Sequence, residues 1–200
     1  MRRSNRRLTK EAIFRYCEDR IDWMLLFQGM MVLAANQVWW TWEVEDVFRK
    51  VKMGEKQAMK FYAKKMHKQI DDLVTRIMMP LSKNDRKKYN TVLIIDVHAR
   101  DIIDIFADVS SVCSILQAQE FEWESQLRFY WEREPDELMV RQCTGAFSYG
   151  YEYMGLNGRL VITPLTDRIY LTLTQVHPQG HCANNPKCFN EWVEKVSGKH

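Results

Sequence analysis

The sequence predicts an α+β fold that is mostly helical. Two observations carry this: apolar residues recur at three- and four-residue steps from Glu43 to about Cys113, and the spacing then changes to two over residues 121–131 before helical spacing returns. A chain of 200 residues that is 46% hydrophobic can bury a sizeable core in one or two domains.

The first helical signal runs from Glu43 to Met79. Val44, Val47, Phe48, Val51, Ala58, Phe61, Tyr62, Met66, Ile70, Leu73, Val74 and Ile77 form one apolar stripe among lysines and acids, with a relaxation expected at Gly54. Pro80 ends it. Ser82 followed by Asp85 marks a new helix start, because both side chains can satisfy free backbone amides there. That helix should run from about Asp85 to about Cys113. The β-branched run Thr91-Val92-Leu93-Ile94-Ile95 is locally ambiguous, but Ile102, Ile103 and Phe106 extend the helical period. Helices are thus expected to about residue 113.

Phe121, Trp123, Leu127, Phe129 and Trp131 then alternate with polar residues, the pattern of a half-buried strand. Glu134-Pro135-Asp136 supplies a turn, and Phe147, Tyr149, Tyr151 and Tyr153 alternate again. Pairing the two stretches predicts an aromatic hairpin over about 121–153, closed by Gly155-Leu156-Asn157-Gly158. After the short apolar run Leu160-Val161-Ile162, Pro164 breaks the chain, and Thr166 is expected to cap a helix reaching about Gln175, with Asp167 near its positive end. Residues 176–200, polar and rich in His, Cys, Asn, Pro and Gly, read as an unrelated, disordered tail.

Charge and cysteine usage narrow the function classes. With 29 Lys and Arg against 26 Asp and Glu, and part of that excess in Arg2, Arg3, Arg6 and Arg7, no nucleic-acid footprint is indicated and the terminal cluster reads as solvated surface. Five widely spaced cysteines, with no charged-apolar-small leader, predict a reduced, intracellular chain. Trp23 to Trp42 carries no charge and is long enough to span a bilayer. Gln28, Asn36 and Gln37 argue instead for a buried helix, and no membrane role is expected.

Little catalytic chemistry is visible. His98 in Asp96-Val97-His98-Ala99-Arg100-Asp101 is a base among charges, with Asp101 placed to orient its ring, yet no nucleophile accompanies it; a structural network joining helix to sheet is expected. His177, His181, Cys182 and Cys188 are zinc-ligand types at unsuitable spacing, since Pro178 and Gly180 interrupt the histidines, so no metal is expected. No phosphate-binding Gly-x-x-x-x-Gly-Lys-Ser/Thr and no Gly-x-Gly-x-x-Gly occurs in these 200 residues.

Five longer strings are more specific than their physics: Gln37-Val38-Trp39-Trp40-Thr41-Trp42-Glu43-Val44, Ile95-Asp96-Val97-His98-Ala99-Arg100-Asp101-Ile102, Trp123 to Trp131, Tyr149 to Gly155, and Arg159-Leu160-Val161-Ile162-Thr163-Pro164-Leu165-Thr166-Asp167-Arg168 onward to Gln175. In this order and spacing they resemble dynein heavy chains of the axonemal, inner-arm type over about residues 1 to 175. The resemblance implies that residues 1–158 are the C-terminal part of the linker that swings across the AAA+ ring, and that 159–175 begin the first AAA+ module. It implies that Ile162, Pro164, Leu165 and Thr166 edge an adenine pocket. It further implies ATP and Mg²⁺ as cofactors of the parent motor and none for this chain alone. The implied partners are the rest of the ring, intermediate and light chains, and microtubules, in the cytoskeleton of a cilium or flagellum axoneme. After Gln175 the family continues into Gly-Pro-Ala-Gly-Thr-Gly-Lys-Thr, whereas Val176-His177-Pro178-Gln179-Gly180-His181 stands here. This departure predicts no ATP hydrolysis by the chain itself. A stand-alone module docking on a dynein ring or accessory chain is the alternative.

Overall fold

The structure, a computed structural model, describes residues 1–16, 19–112, 121–153 and 163–176. Its centre is one long helix. The uncharged segment that is long enough for a membrane folds as α2 (Arg20–Leu26) and the front of α3 (Gly29–Lys52), with Met31, Val32, Ala35, Val38 and Val44 almost fully buried; among the described residues no helix is long and apolar enough to cross a membrane. Around α3 pack α1 (Arg2–Phe14), α4 (Ala58–Met78), α5 (Lys83–Val112) and strand β1 (Arg128–Glu132). Burying apolar side chains on several sides of one helix explains why its sequence is apolar nearly all round.

The stripe read as one helix over 43–79 is two. Gly54 adopts φ +105°, and its amide bonds the Val51 carbonyl while Glu55 N–H bonds the Lys50 carbonyl at 3.0 Å, so α3 ends in a paired reversal that glycine reaches without a Cβ clash. The expected start of α5 is present. Ser82 Oγ accepts from Asp85 N–H at 3.1 Å and donates to the Asp85 carboxylate at 2.6 Å, which holds that carboxyl below its ordinary pKa. Replacing Ser82 by alanine should therefore cost about 1 kcal/mol in chemical unfolding, whereas Ser82→Thr, which keeps the hydroxyl, should cost a few tenths at most.

Carbonyls without an intrahelical partner at helix ends are satisfied from a distance. Lys88 of α5 donates to the Met24 and Phe27 carbonyls at 2.9 and 3.0 Å, closing α2, and Arg86 donates to those of Ile77 and Met79, closing α4. At the end of α1 the indole N–H groups of Trp23 and Trp39 donate to the Ala12 and Ile13 carbonyls, and Tyr16 lies against both rings.

Two apolar cores result, both threaded by α3. One gathers α1, α2 and the first half of α3 with Leu73, Tyr89, Val92, Trp131, Leu138 and Tyr151; the other joins the second half of α3 to α4, α5 and Trp123.

The predicted hairpin over 121–153 is corrected in two ways. Residues Phe121–Glu124 form a helical turn, α6, rather than strand, because Trp123 turns into the second core with its ring centroid 5.0 Å from that of Trp40. The sheet has three strands: β1 pairs antiparallel with β2 (Glu137–Gln142), and β2 pairs with β3 (Gly145–Ser148). The stretch from Phe147 therefore joins the sheet on the far side of β2 and does not pair with the first strand. Tyr149 and Tyr151 return over β2, bonding the carbonyl and amide of Leu138. The Glu134-Pro135-Asp136 turn lies where expected, with Asp136 at φ +59°, a region aspartate tolerates. Lys10 grips its carboxylate at 2.8 Å and Arg6 bonds its carbonyl, so part of the N-terminal basic cluster anchors the sheet instead of facing water alone.

Candidate functional site

Helix α7 (Pro164–Val176) carries three of the four residues implied to edge an adenine pocket; Ile162 lies outside the described residues, as do Leu160, Val161 and the Gly155 to Gly158 closure. The cap of α7 is Thr163, and not Thr166 as the sequence reading expected. Thr163 Oγ1 accepts from Thr166 N–H at 3.3 Å while Thr166 Oγ1 accepts from Thr163 N–H at 2.7 Å, a reciprocal box in which Pro164 takes the first helical position. Pro164 is favoured there because that amide has no intrahelical partner to lose. The Thr166 hydroxyl is thus engaged within the turn, while Leu165 is 62% exposed at the same end.

The other end of α7 is fastened to the sheet. Thr174 Oγ1 donates to Gln142 Oε1 at 2.8 Å, Gln175 Nε2 donates to the Gln142 carbonyl at 2.8 Å, and Thr144 Oγ1 donates to Gln175 Oε1 at 2.5 Å. Gln142 is buried. Its own Nε2 donates to the Ser125 carbonyl at 2.6 Å, so one side chain joins α7 to the turn that follows α6. Gly145 permits this seating, since a Cβ there would stand 2.8 Å from the Thr174 carbonyl oxygen and 3.1 Å from the Phe147 ring. The turn after α6 is itself tied to the helical body, because the His98 ring of α5 hydrogen-bonds the Gln126 side chain at 3.0 Å. His98 therefore does join helix to sheet, but through Gln126; Asp101 instead bonds Arg100.

Deeper in the body lies a charge triangle. Arg20 Nη2 donates to the Asn36 side-chain oxygen at 2.8 Å and to the Asp96 carboxylate at 2.5 Å, and Asn36 Nδ2 donates to the same carboxylate at 2.9 Å. The Arg20 and Asp96 side chains are 11% and 4% exposed. Burial works against the Arg20 charge, and Asp96 and Tyr16 outweigh it, so the guanidinium pKa rises. Burial likewise pushes the nearby Tyr16 hydroxyl up to about 12. The triangle cross-links α2, α3 and α5 without a reactive group.

No arrangement for catalysis is assembled among the described residues. No group of His, Cys, Asp and Glu there could hold a metal, and His177, His181, Cys182 and Cys188 lie outside them. A recess of about 480 Å³ between the start of α2 and α4 is an open groove of mixed charge lined by Asp19, Asp22, Lys68, Asp72 and Arg76.

Gln142 and the Arg20–Asn36–Asp96 triangle escape a reading by motif. A signal existed for Asp96, which stands on the stripe of Val92, Ala99 and Ile103, and for Asn36, a lone amide in an apolar helix; a polar residue on a buried face needs a partner. Gln142 ends a strand of mixed polarity and gives no such signal.

Comparison with known proteins meets this geometry at α7. A family pattern described as the hydrolytic ATP binding site of the dynein motor region matches residues 149–186, which include α7 and the residues leading into it. The chain is 80% identical over 177 residues to the human dynein axonemal heavy chain 10. It is 55% identical over 175 residues to the dynein-1-alpha heavy chain of the flagellar inner arm I1 complex of Chlamydomonas reinhardtii, and 40% identical over 176 to that alga's outer-arm dynein alpha chain. These alignments cover 88%, 87% and 88% of this chain and 4% of each relative's length. Sustained identity through the long helices, the small sheet and α7 shows that the chain belongs to the axonemal dynein heavy chains, of which it spans a short segment.

Proposed function

We propose that this segment is the end of the linker and the beginning of the first AAA+ module of an axonemal dynein heavy chain, an ATP-driven microtubule motor of cilia and flagella. Residues 1–158 act as linker and 159–175 as the start of the module. The observation that carries the reading is the seat of α7: a helix within the stretch matched to the ATP-binding region is fastened to a sheet that α1 and α3 hold against the helical body. Body and sheet share cores and a buried charge triangle, so they can move as one piece, which is what a lever needs to pass a displacement on.

In this reading Ile162, Pro164, Leu165 and Thr166 form one wall of the adenine site. The exposed Leu165 would supply apolar contact, and backbone groups at the start of α7 would orient the base. ATP and Mg²⁺ are cofactors of the parent motor. The phosphate-cradling glycines, the lysine and the Mg²⁺-holding hydroxyl of a phosphate loop are not encoded in these 200 residues, so hydrolysis falls to other parts of the heavy chain. The ring, intermediate and light chains and microtubules are partners through that parent.

A second reading, a free-standing module that docks on a dynein ring or accessory chain, draws on Phe14, Phe61, Met78 and Ile105, each more than half exposed. The readings part on nucleotide. Labelled ATP with Mg²⁺, titrated to millimolar, should show no saturable binding to the purified 200-residue chain, and Leu165→Asp in the parent heavy chain should weaken its ATP binding. Tight Mg²⁺-dependent binding by the short chain, or an unchanged affinity in the Leu165→Asp heavy chain, would count against the linker-and-threshold assignment of this end.

A further inference from the structure

The strongest unassigned feature is the polar relay that ends on α7. It begins at His98 on α5, passes to Gln126, reaches Ser125 along the backbone, crosses to Gln142 through the Ser125 carbonyl, and arrives at Thr174 and Gln175. Each link is a hydrogen bond or one peptide unit. Gln142 is the only residue in it that touches both the helical body's last turn and α7, and it uses its amide N–H, its amide oxygen and its backbone carbonyl to do so.

We infer that Gln142 is a positioning residue that sets the seat of α7 on the sheet, and with it the place of a helix that lies inside the matched nucleotide-binding stretch. A glutamine suits this role because its side chain offers a donor and an acceptor at one end, which here point to different elements. A buried glutamine with both functions satisfied resists displacement, because moving α7 would leave the Gln142 oxygen without its donor, while the Thr174 hydroxyl would keep only the Leu171 carbonyl of its own helix. Gly145 completes the seat. Its missing Cβ lets the Thr174 carbonyl come close to the sheet, so that the two glutamines overlap in one register. This deepens the linker reading, on which only its nucleotide arm rests.

Hydrogen exchange of the 200-residue chain tests the seat directly. Thr174→Val removes the hydroxyl and Gln142→Met removes both amide functions at similar length. Each should speed exchange of the amides of residues 168–176 about tenfold, leaving α3, α4 and α5 protected as before. Thr174→Ser, which keeps the hydroxyl, should leave exchange within about a factor of two of the parent chain, and the double variant should be no faster than Gln142→Met alone, which already breaks the bond that Thr174→Val removes. Unchanged α7 exchange in Thr174→Val, or loss of protection spread evenly through α3 to α5, would overturn the assignment. Should Gln142→Met fail to fold, Thr174→Val decides, because its side chain lies on the far side of the bond. In the parent heavy chain the same peptide should change its exchange between ATP and ADP; if it does not while Thr174→Val still loosens α7, the seat stands and the linker reading falls.

Discussion

Asp96→Ala is expected to destabilise the chain by about 3–5 kcal/mol, because it strands the Arg20 guanidinium in the interior. Two of the three bonds of the triangle go with the carboxylate, and one of them is the bond that Asn36 Nδ2 donates. The Nε and Nη1 atoms of Arg20 already lack hydrogen-bond partners, and Asp96 is the carboxylate that the guanidinium bonds. Removing both charges should be far milder: Arg20→Met with Asp96→Leu leaves no buried ion to desolvate, and replacements of that kind range from neutral to stabilising by about 1–4 kcal/mol. Urea unfolding followed by circular dichroism distinguishes the two cases, with a lowered midpoint at unchanged slope for Asp96→Ala. A loss below about 1 kcal/mol would mean that Arg20 swings out to water, and that the triangle is not a fixed cross-link.

Trp123→Ala should cost a similar amount, about 3–5 kcal/mol, by a different route. The ring is fully buried, edge-on to Trp40 at 5.0 Å and to Phe48 at 5.8 Å between centroids. Its indole N–H has no partner, so the loss is apolar burial and ring contact, and Trp123→Phe should keep much of it. The effect should also be local. Without the anchor, α6 and the following turn lose their hold on α5, and the His98–Gln126 bond should weaken with them. An unfolding midpoint within a few tenths of a molar of the parent chain would contradict this account.

Trp123 also marks where periodicity stops being informative. Its neighbours alternate as a strand does, but two residues out of step over four positions cannot separate a strand from a single helical turn, and what decides is the hole between Trp40 and Phe48. The long helices were legible because their stripes repeat many times, and the start of α5 was legible because Ser82 and Asp85 have one obvious use. Strand β2 was not: Leu138 and Gln142 are its buried positions, on one face, but Met139 and Val140 blur the alternation. The pairing of Phe147 with β2 rather than β1 follows from that hidden strand. At the candidate site, Thr166 reads as a cap in the sequence because it precedes a helical pattern; the preceding threonine does the capping because Pro164 takes the first helical position. Gln142 was invisible for a plainer reason. Its role exists only once Ser125 and Thr174, 17 and 32 positions away in sequence, are brought to its two ends.

The central claim is that residues 1–16, 19–112 and 121–153 form one rigid piece that carries α7 at one end. Cryo-electron microscopy of the parent heavy chain in ATP-bound and ADP-bound states tests it most directly. When the two states are superposed on α3, the other helices and the three strands should coincide throughout, including the Arg20–Asp96 pair and the Gln142–Thr174 contact, while the ring modules shift relative to them. A bend between α3 and α4 at Gly54, or a sheet that leaves α3 when the nucleotide changes, would contradict the account.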